Sequence, residues 1–119
     1  MNYCVHFIFY NQELLLLKRK KTNPFFPNIW TPVIGKIKNN EQPYDAMIRE
    51  TKEETDLILA NPQFIKEVKH KDDTYWFYQS TTETTDIYLN HENDKFSFFK
   101  CNELPESLWL LFKNIVAKS

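Results

Sequence analysis

The 119 residues predict an α+β fold: a mixed central sheet held between two helices, in one domain over residues 1–119. Three observations carry this. Most of the chain alternates between β-branched, aromatic or aliphatic runs and short polar turns, the pattern of strands. Two segments, residues 43–55 and 104–117, have apolar residues at helical spacing instead. A chain of this length with 42% hydrophobic and 16% aromatic residues fills one sizeable core and has no room for a second.

Residues 3–10 and 13–19 read as a β-hairpin turned at Asn11-Gln12, and Lys18, Arg19, Lys20 and Lys21 follow as a basic patch. The stretch TNPFFPNIWTPVIG holds three of the six prolines, so it is a loop leading into a short strand at residues 30–34. Gly35 is the chain's only glycine; average usage of about 7% would give roughly eight, so it marks a position where a side chain does not fit. Pro43 just inside a helix start and Asp45 in the first turn open a helix running to about residue 55. On it, Tyr44, Met47, Ile48, Thr51 and Thr55 share the packing side. Asp45, Arg49, Lys52 and Asp56 share the solvent side, and Glu50, Glu53 and Glu54 lie between. Further strands are expected at residues 63–68, 75–80, 86–90 and 95–101. An amphipathic helix over 104–117, with Leu104, Leu108, Leu111, Phe112, Ile115 and Val116 at helical spacing, closes the domain.

A formal net charge of −1 makes no global electrostatic case for nucleic acid or an anionic membrane, so any polyanionic ligand must be held locally. Cys4 and Cys101 lack metal-type spacing and read as buried thiols of a reducing compartment. The N-terminus has no basic region before its short apolar run, and no segment nears the roughly 20 apolar residues of a membrane span. The expectation is a soluble cytoplasmic protein.

The sharpest chemical signal is Glu50, Glu53 and Glu54 at i, i+3 and i+4. At about 100° per residue they share one helix face, and the Glu50/Glu54 like-charge pair costs about 0.2 to 0.5 kcal/mol in a plain helix. A cation is the natural compensation. Hard divalent ions prefer oxygen donors, and Mg²⁺ takes a few carboxylates plus substrate phosphate oxygens. Gly35, ending the preceding strand, adds a backbone carbonyl where no Cβ obstructs an ion.

These residues resemble the Nudix hydrolase family, whose signature reads here as Gly35, Glu41, Arg49-Glu50, Thr51, Lys52, Glu53-Glu54, Thr55, Asp56, Leu57. All charged positions and both long spacings match. Thr51 stands for an apolar residue, and Asp56 replaces a glycine expected to end the helix in a left-handed conformation, at a small stability cost. The resemblance covers most of the chain and implies that Glu50, Glu53 and Glu54 hold divalent ions (Mg²⁺, with Mn²⁺ possible) and that Arg49 orients a helix glutamate. Glu41 is read as structural. WTPVIG, RETKEE, KDDTYWFYQS and DIYLNHENDKFSFF are similar to segments of asymmetrical diadenosine tetraphosphate hydrolases, with Lys71, Tyr75 and Glu92 at matching positions; Ile34 and Lys36 depart from that pattern. The W-x-x-V-x-G wording also resembles dihydroneopterin triphosphate pyrophosphatases.

The implied reaction is metal-assisted hydrolysis of a diphosphate linkage, with Glu92 as an added ligand or general base. Tyr75, or Phe25, Phe26 and Trp30, are candidates to contact a base, against ordinary packing for each. Lys18, Lys36 and Lys71 are candidates for outer phosphates. His6 and His70 read as structural and His91 as a turn residue. The partner is a small-molecule nucleotide or polyphosphate, and the chain a monomer or homodimer. A Nudix-fold sensor that binds without cleaving is the rival class.

Overall fold

The computed structural model describes residues 1–24 and 26–118. Strands β1 (Asn2–Tyr10) and β2 (Glu13–Arg19) form the expected hairpin. Asn11 and Gln12 have φ of 49° and 66°, the paired left-handed geometry whose twist matches a two-residue hairpin. The expected strand at residues 30–34 is broken at Pro32, which lacks an N–H for the ladder, into β3 (Trp30–Thr31) and β4 (Val33–Lys36). Helix α1 runs Pro43–Thr55, followed by β5 (Gln63–His70), β6 (Asp73–Thr81), β7 (Asn93–Lys100) and α2 (Leu110–Lys118).

The sheet is mixed. β1 runs parallel to β6 and antiparallel to β4 and β2, while β2 also pairs with β3 and β7, and β5 edges β6. Alternation along β1 divides the core: Tyr3, Val5 and Phe7 face α2 with Phe77, Phe112 and Ile115, whereas Cys4 packs with Ala46 and Met47 of α1.

Two element expectations are corrected. Residues 86–90 form no strand: Thr82 and Thr84 hydroxyls bond their own backbone neighbourhood, and Tyr88 N–H bonds Thr55 O at 3.1 Å, closing the end of α1. Ile87 and Leu89 still pack inward, which is the alternation the sequence displays. The second helix begins at Leu110 rather than 104, because turns at Glu103→Lys100 and Leu108→Pro105 carry the chain across to the α2 face. Cys4 is buried, but Cys101, one residue past β7, is exposed, contrary to the expected pair of buried thiols. Among the described residues, no helix is long and apolar enough to cross a membrane.

The buried face of α1 is Ala46, Met47, Thr51, Glu54 and Thr55. Ile48 packs, half-buried, against the Cys4–Met47 cluster as expected, whereas Tyr44 is exposed and Glu54 turns inward. Asp56 takes the left-handed conformation, φ 63° and ψ 19°, its N–H bonding Lys52 O at 2.9 Å. Its ion pair with Lys52 at 3.5 Å is exposed and worth little. Replacing Asp56 by Gly therefore raises stability by about 0.5 to 1 kcal/mol. A urea midpoint that moves down instead would refute this.

Candidate active site

The site starts where β1 registers β4. Cys4 lies opposite Gly35 in the ladder, and a Cβ on Gly35 would overlap the carboxyl group of Glu50. Gly35 does not have a positive φ, so it is room for Glu50, not backbone freedom, that requires glycine here. Burial and the nearby Glu50 push the Cys4 thiol pKa up, leaving the thiol uncharged, and its Sγ–H points to Gly35 O at 3.7 Å.

Arg49 gathers Glu41 of the loop before α1 with Glu50 and Glu53 of the helix's second half. Its Nε and Nη2 meet the two Glu41 oxygens at 2.9 and 3.0 Å, Nη1 meets Glu50 at 2.7 Å and Glu53 at 3.3 Å, and Nη2 donates to Lys36 O at 3.1 Å. The fork to Glu41, together with Lys38 N–H at 3.0 Å, lowers the Glu41 carboxyl to about 2. Glu41 thus ties the loop before α1 to the helix.

Glu54 is fully buried, and among the described residues no N–H or hydroxyl donor reaches either of its oxygens; its carboxyl lies within hydrogen-bond reach of the Glu50 carboxyl. Burial first, and the neighbouring Glu50 carboxyl second, push it well above the usual carboxylate range against the pull of Arg19. Arg19 Nη1 lies 3.8 Å from Glu54 and 3.9 Å from Glu92 Oε2. Glu92 is placed by its neighbours: Asn90 Oδ1 accepts its N–H at 3.1 Å, while its carbonyl accepts from Lys20 N–H at 3.1 Å and Asn23 Nδ2 at 3.5 Å.

A cavity of about 480 Å³ opens among these groups, walled by Gly35, Lys36, Glu50, Glu92 and His91, by Arg19 and Ile34, and by Lys20, Thr22, Asn23 and Pro24 of the loop after β2. Four residues singled out from the sequence, Gly35, Lys36, Glu50 and Glu92, come together here. Glu54 sits behind the wall at Arg19, and Glu53 stands half-exposed on the Arg49 side.

Other candidates lie elsewhere. Tyr75 is only 3% exposed, stacked on Tyr3 at 5.1 Å and edge-on to Trp109 at 5.5 Å, so its ring is covered by core residues. Trp76, its alternate on the strand, packs towards Met47 and Tyr78. Trp30 lies edge-on to Phe99 with the Lys18 and Lys95 ammonium groups each 5.8 Å from its ring centre, outside the cavity wall. Lys71 is exposed in the β5–β6 turn with φ 55°, also outside it. Phe26 packs on Trp109 at 6.0 Å, and Phe25 lies outside the described residues. His70 is edge-on to Trp109 at 5.0 Å. Arg19, read from the sequence only as part of a basic patch, is a buried member of the site; its signal is that it follows Leu15 and Leu17 on the inward-facing parity of β2, where a cation is out of place without acidic partners.

Among the described residues, no three His, Cys, Asp or Glu side chains converge as a ready metal cage. With like charges otherwise unscreened, Glu50 and Glu53 turn to Arg49 and Glu54 to Arg19. The donor set nevertheless suits a hard divalent cation: it is all oxygen, one buried carboxylate has unmet acceptors, and the Gly35 notch keeps a Cβ out of the way.

A mixed sheet between two helices, with a cleft at the end of β4 that brings carboxylates and basic side chains together, defines the class. The NUDIX domain profile matches residues 3–118, and the chain belongs to that family. Over 49 residues it is 43% identical to the m7GpppN-mRNA hydrolase NUDT17 of Xenopus laevis, a match covering 41% of this chain and 17% of that protein. The structure is similar to that of a MutT protein from Methanosarcina mazei Go1, with a TM-score of 0.89 at 19% identity over 99% of this chain and 91% of the other. It is also similar to a C. elegans Ap4A hydrolase in a binary complex, with a TM-score of 0.76 at 22% identity over 98% and 93% of the two chains.

Proposed function

We propose that the protein is a Nudix pyrophosphohydrolase, an enzyme that hydrolyses a diphosphate linkage in a nucleoside diphosphate-linked substrate. Dinucleoside polyphosphates such as diadenosine tetraphosphate and nucleoside triphosphates are the first candidates. The observation that carries this reading is the Gly35 notch filled by Glu50 at the wall of a cavity that also presents Glu92, Lys20 and Lys36. Acidic groups for an ion and basic groups for phosphates therefore face one space.

Glu50, Glu53, Glu54, Glu92 and the Gly35 carbonyl are the residues that would hold Mg²⁺ or Mn²⁺, which when bound supplies charge on the phosphate oxygens and acidifies a water. Arg49 holds Glu50 and Glu53 in place. Glu92, which lines the same cavity as Glu50, serves either as an added ligand or as the base that takes the proton of the attacking water. Lys20 and Lys36 neutralise outer phosphates as point charges. Lys71 and Trp30, outside the wall, are assigned to the distal part of a long substrate, and Tyr75 supports β6 from within the core. The W-x-x-V-x-G wording keeps dihydroneopterin triphosphate as an alternative substrate, and the similarity to NUDT17 adds a capped dinucleotide.

One observation favours the non-catalytic sensor: Glu53 points to Arg49 on the exposed side of the helix and is absent from the cavity wall. The test is Mg²⁺-dependent product release from diadenosine tetraphosphate, nucleoside triphosphates, dihydroneopterin triphosphate and a capped dinucleotide, with Glu53→Gln as control. ATP plus AMP from the dinucleotide, lost in the control, is the expected result. Pyrophosphate plus a monophosphate moves the substrate to the triphosphates. Binding of any of these without turnover selects the sensor.

A further inference from the structure

The glutamate-bearing half of α1 is not held to the sheet by apolar contact. Its first half is: Ala46 and Met47 pack with Cys4 and Tyr78. Beyond Ile48, however, the buried residues are Thr51, Glu54 and Thr55, all polar. Hydrophobic contact is non-directional; Arg49 fixes the Glu50 carboxyl from the same helix and ties it to Lys36 O at the end of β4, and a second directional contact, into the middle of the sheet, is made beside Glu50. Thr51 is the residue next to it, and its hydroxyl lies 2.7 Å from Nδ1 of His6. The other ring nitrogen of His6, Nε2, lies 2.6 Å from Ser80 Oγ. All three residues are buried, at 2%, 1% and 7% exposure, so both contacts form where an unmet polar group is costly and a met one is geometrically strict. A neutral imidazole donates through one nitrogen and accepts through the other, and a hydroxyl satisfies either demand.

The chain Thr51, His6, Ser80 joins α1, β1 and β6 across a single ring. β1 is also the strand that sets Gly35, through Cys4 two residues before His6. Both sides of the notch, the glycine and the carboxylate that fills it, are therefore referenced to the same strand, one through the β1–β4 ladder and the other through Thr51.

We propose that His6, with Thr51 and Ser80, is a positioning unit that fixes the rotation of α1 so that the Glu50 carboxyl enters the Gly35 notch; its effect on turnover rests on the pyrophosphohydrolase reading. None of the three side chains lines the cavity. They act through the helix.

The test separates the hydroxyl from the packing. Thr51→Val keeps the β-branched shape and removes the hydrogen bond; Thr51→Ser loses a methyl and keeps it. Two readouts are taken: Mn²⁺ affinity by water-proton relaxation, and kcat and KM on whichever compound the wild type cleaves. Thr51→Val is expected to weaken Mn²⁺ binding about fivefold and lower kcat about tenfold with KM within about twofold, whereas Thr51→Ser stays within about threefold of wild type on both. If Thr51→Ser falls as far as Thr51→Val, or Thr51→Val binds Mn²⁺ like wild type, the positioning role is wrong. Should Thr51→Val not fold, Ser80→Ala frees the other ring nitrogen and must move the same readouts. A wild type that cleaves nothing, while the Val/Ser difference in Mn²⁺ affinity persists, removes the catalytic reading and keeps the positioning. Normal wild-type turnover without that difference removes the positioning alone.

Discussion

Replacing Glu54 by Gln should lower turnover at least about a hundredfold while making the metal-free protein more stable by about 1 to 3 kcal/mol. The two effects have one cause. Glu54 is fully buried, reached by no N–H or hydroxyl donor among the described residues, and lies against the Glu50 carboxyl, so its charged form is disfavoured in the fold despite Arg19 at 3.8 Å. A neutral amide of the same shape relieves that burden, and Arg19 keeps Glu92 at 3.9 Å. Strain of this kind persists where function requires it. Thermal denaturation with and without Mg²⁺ checks the claim: the ion should raise the melting temperature of the wild type and do little for Glu54→Gln. A variant that is both less stable without the ion and fully active would remove Glu54 from the proposed ligand set.

Acid should unfold the protein through His6. Burial between Thr51 and Ser80 lowers this histidine from 6.5 to about 3, so it stays neutral in the fold while the unfolded chain protonates it. The sign follows directly: below pH 6.5 the unfolded state binds the extra proton, and stability falls by about 1.4 kcal/mol per pH unit until the folded group titrates. By pH 4.5 the loss is about 2 to 3 kcal/mol. Glu41, lowered to about 2 by Arg49, acts in the same direction only below pH 4.5. Glu54, raised by burial, acts oppositely because the folded state takes up its proton first. Urea titrations of wild type and His6→Gln between pH 7 and 4.5 isolate the histidine. The wild-type curve should be steeper by one proton; parallel curves would falsify the assignment.

Much of the fold is legible in local chemistry. The two-residue turn at Asn11-Gln12, the start of α1 at Pro43, its end at Thr55 and the left-handed Asp56 all follow from conformational preferences acting within a few residues. The expected strand at residues 86–90 fails for the opposite reason: its alternation is real, but hydroxyl-to-backbone bonds and a contact with Thr55 O replace the ladder, and no local pattern distinguishes the two. Likewise the helical spacing from Leu104 buries Leu108 without a helix, because the chain must first cross from β7 to the face it covers.

The candidate site divides in the same way. The carboxylate spacing of α1 and the lone glycine are covalent facts, and their meeting in one notch needed only that β4 and α1 be neighbours. Arg19, by contrast, acquires its place by facing Glu54 on α1 and Glu92 in the loop before β7, 35 and 73 positions away in the chain. Tyr75 shows the converse. Alternation places Tyr75 and Trp76 on opposite faces, but both faces are covered, one by Trp109 before α2 and the other by α1.

Residue type and spacing alone are enough for the family, the hairpin, the bounds of α1, the acidic helix face and the need for glycine at position 35. Tertiary packing settles that Glu54 is buried against Arg19, that Glu41 and Glu50 share Arg49, that Glu92 lines the same cavity as Glu50, and that His6 reaches Thr51. Those outcomes depend on distances between segments far apart in the chain, which local preference leaves open and packing resolves.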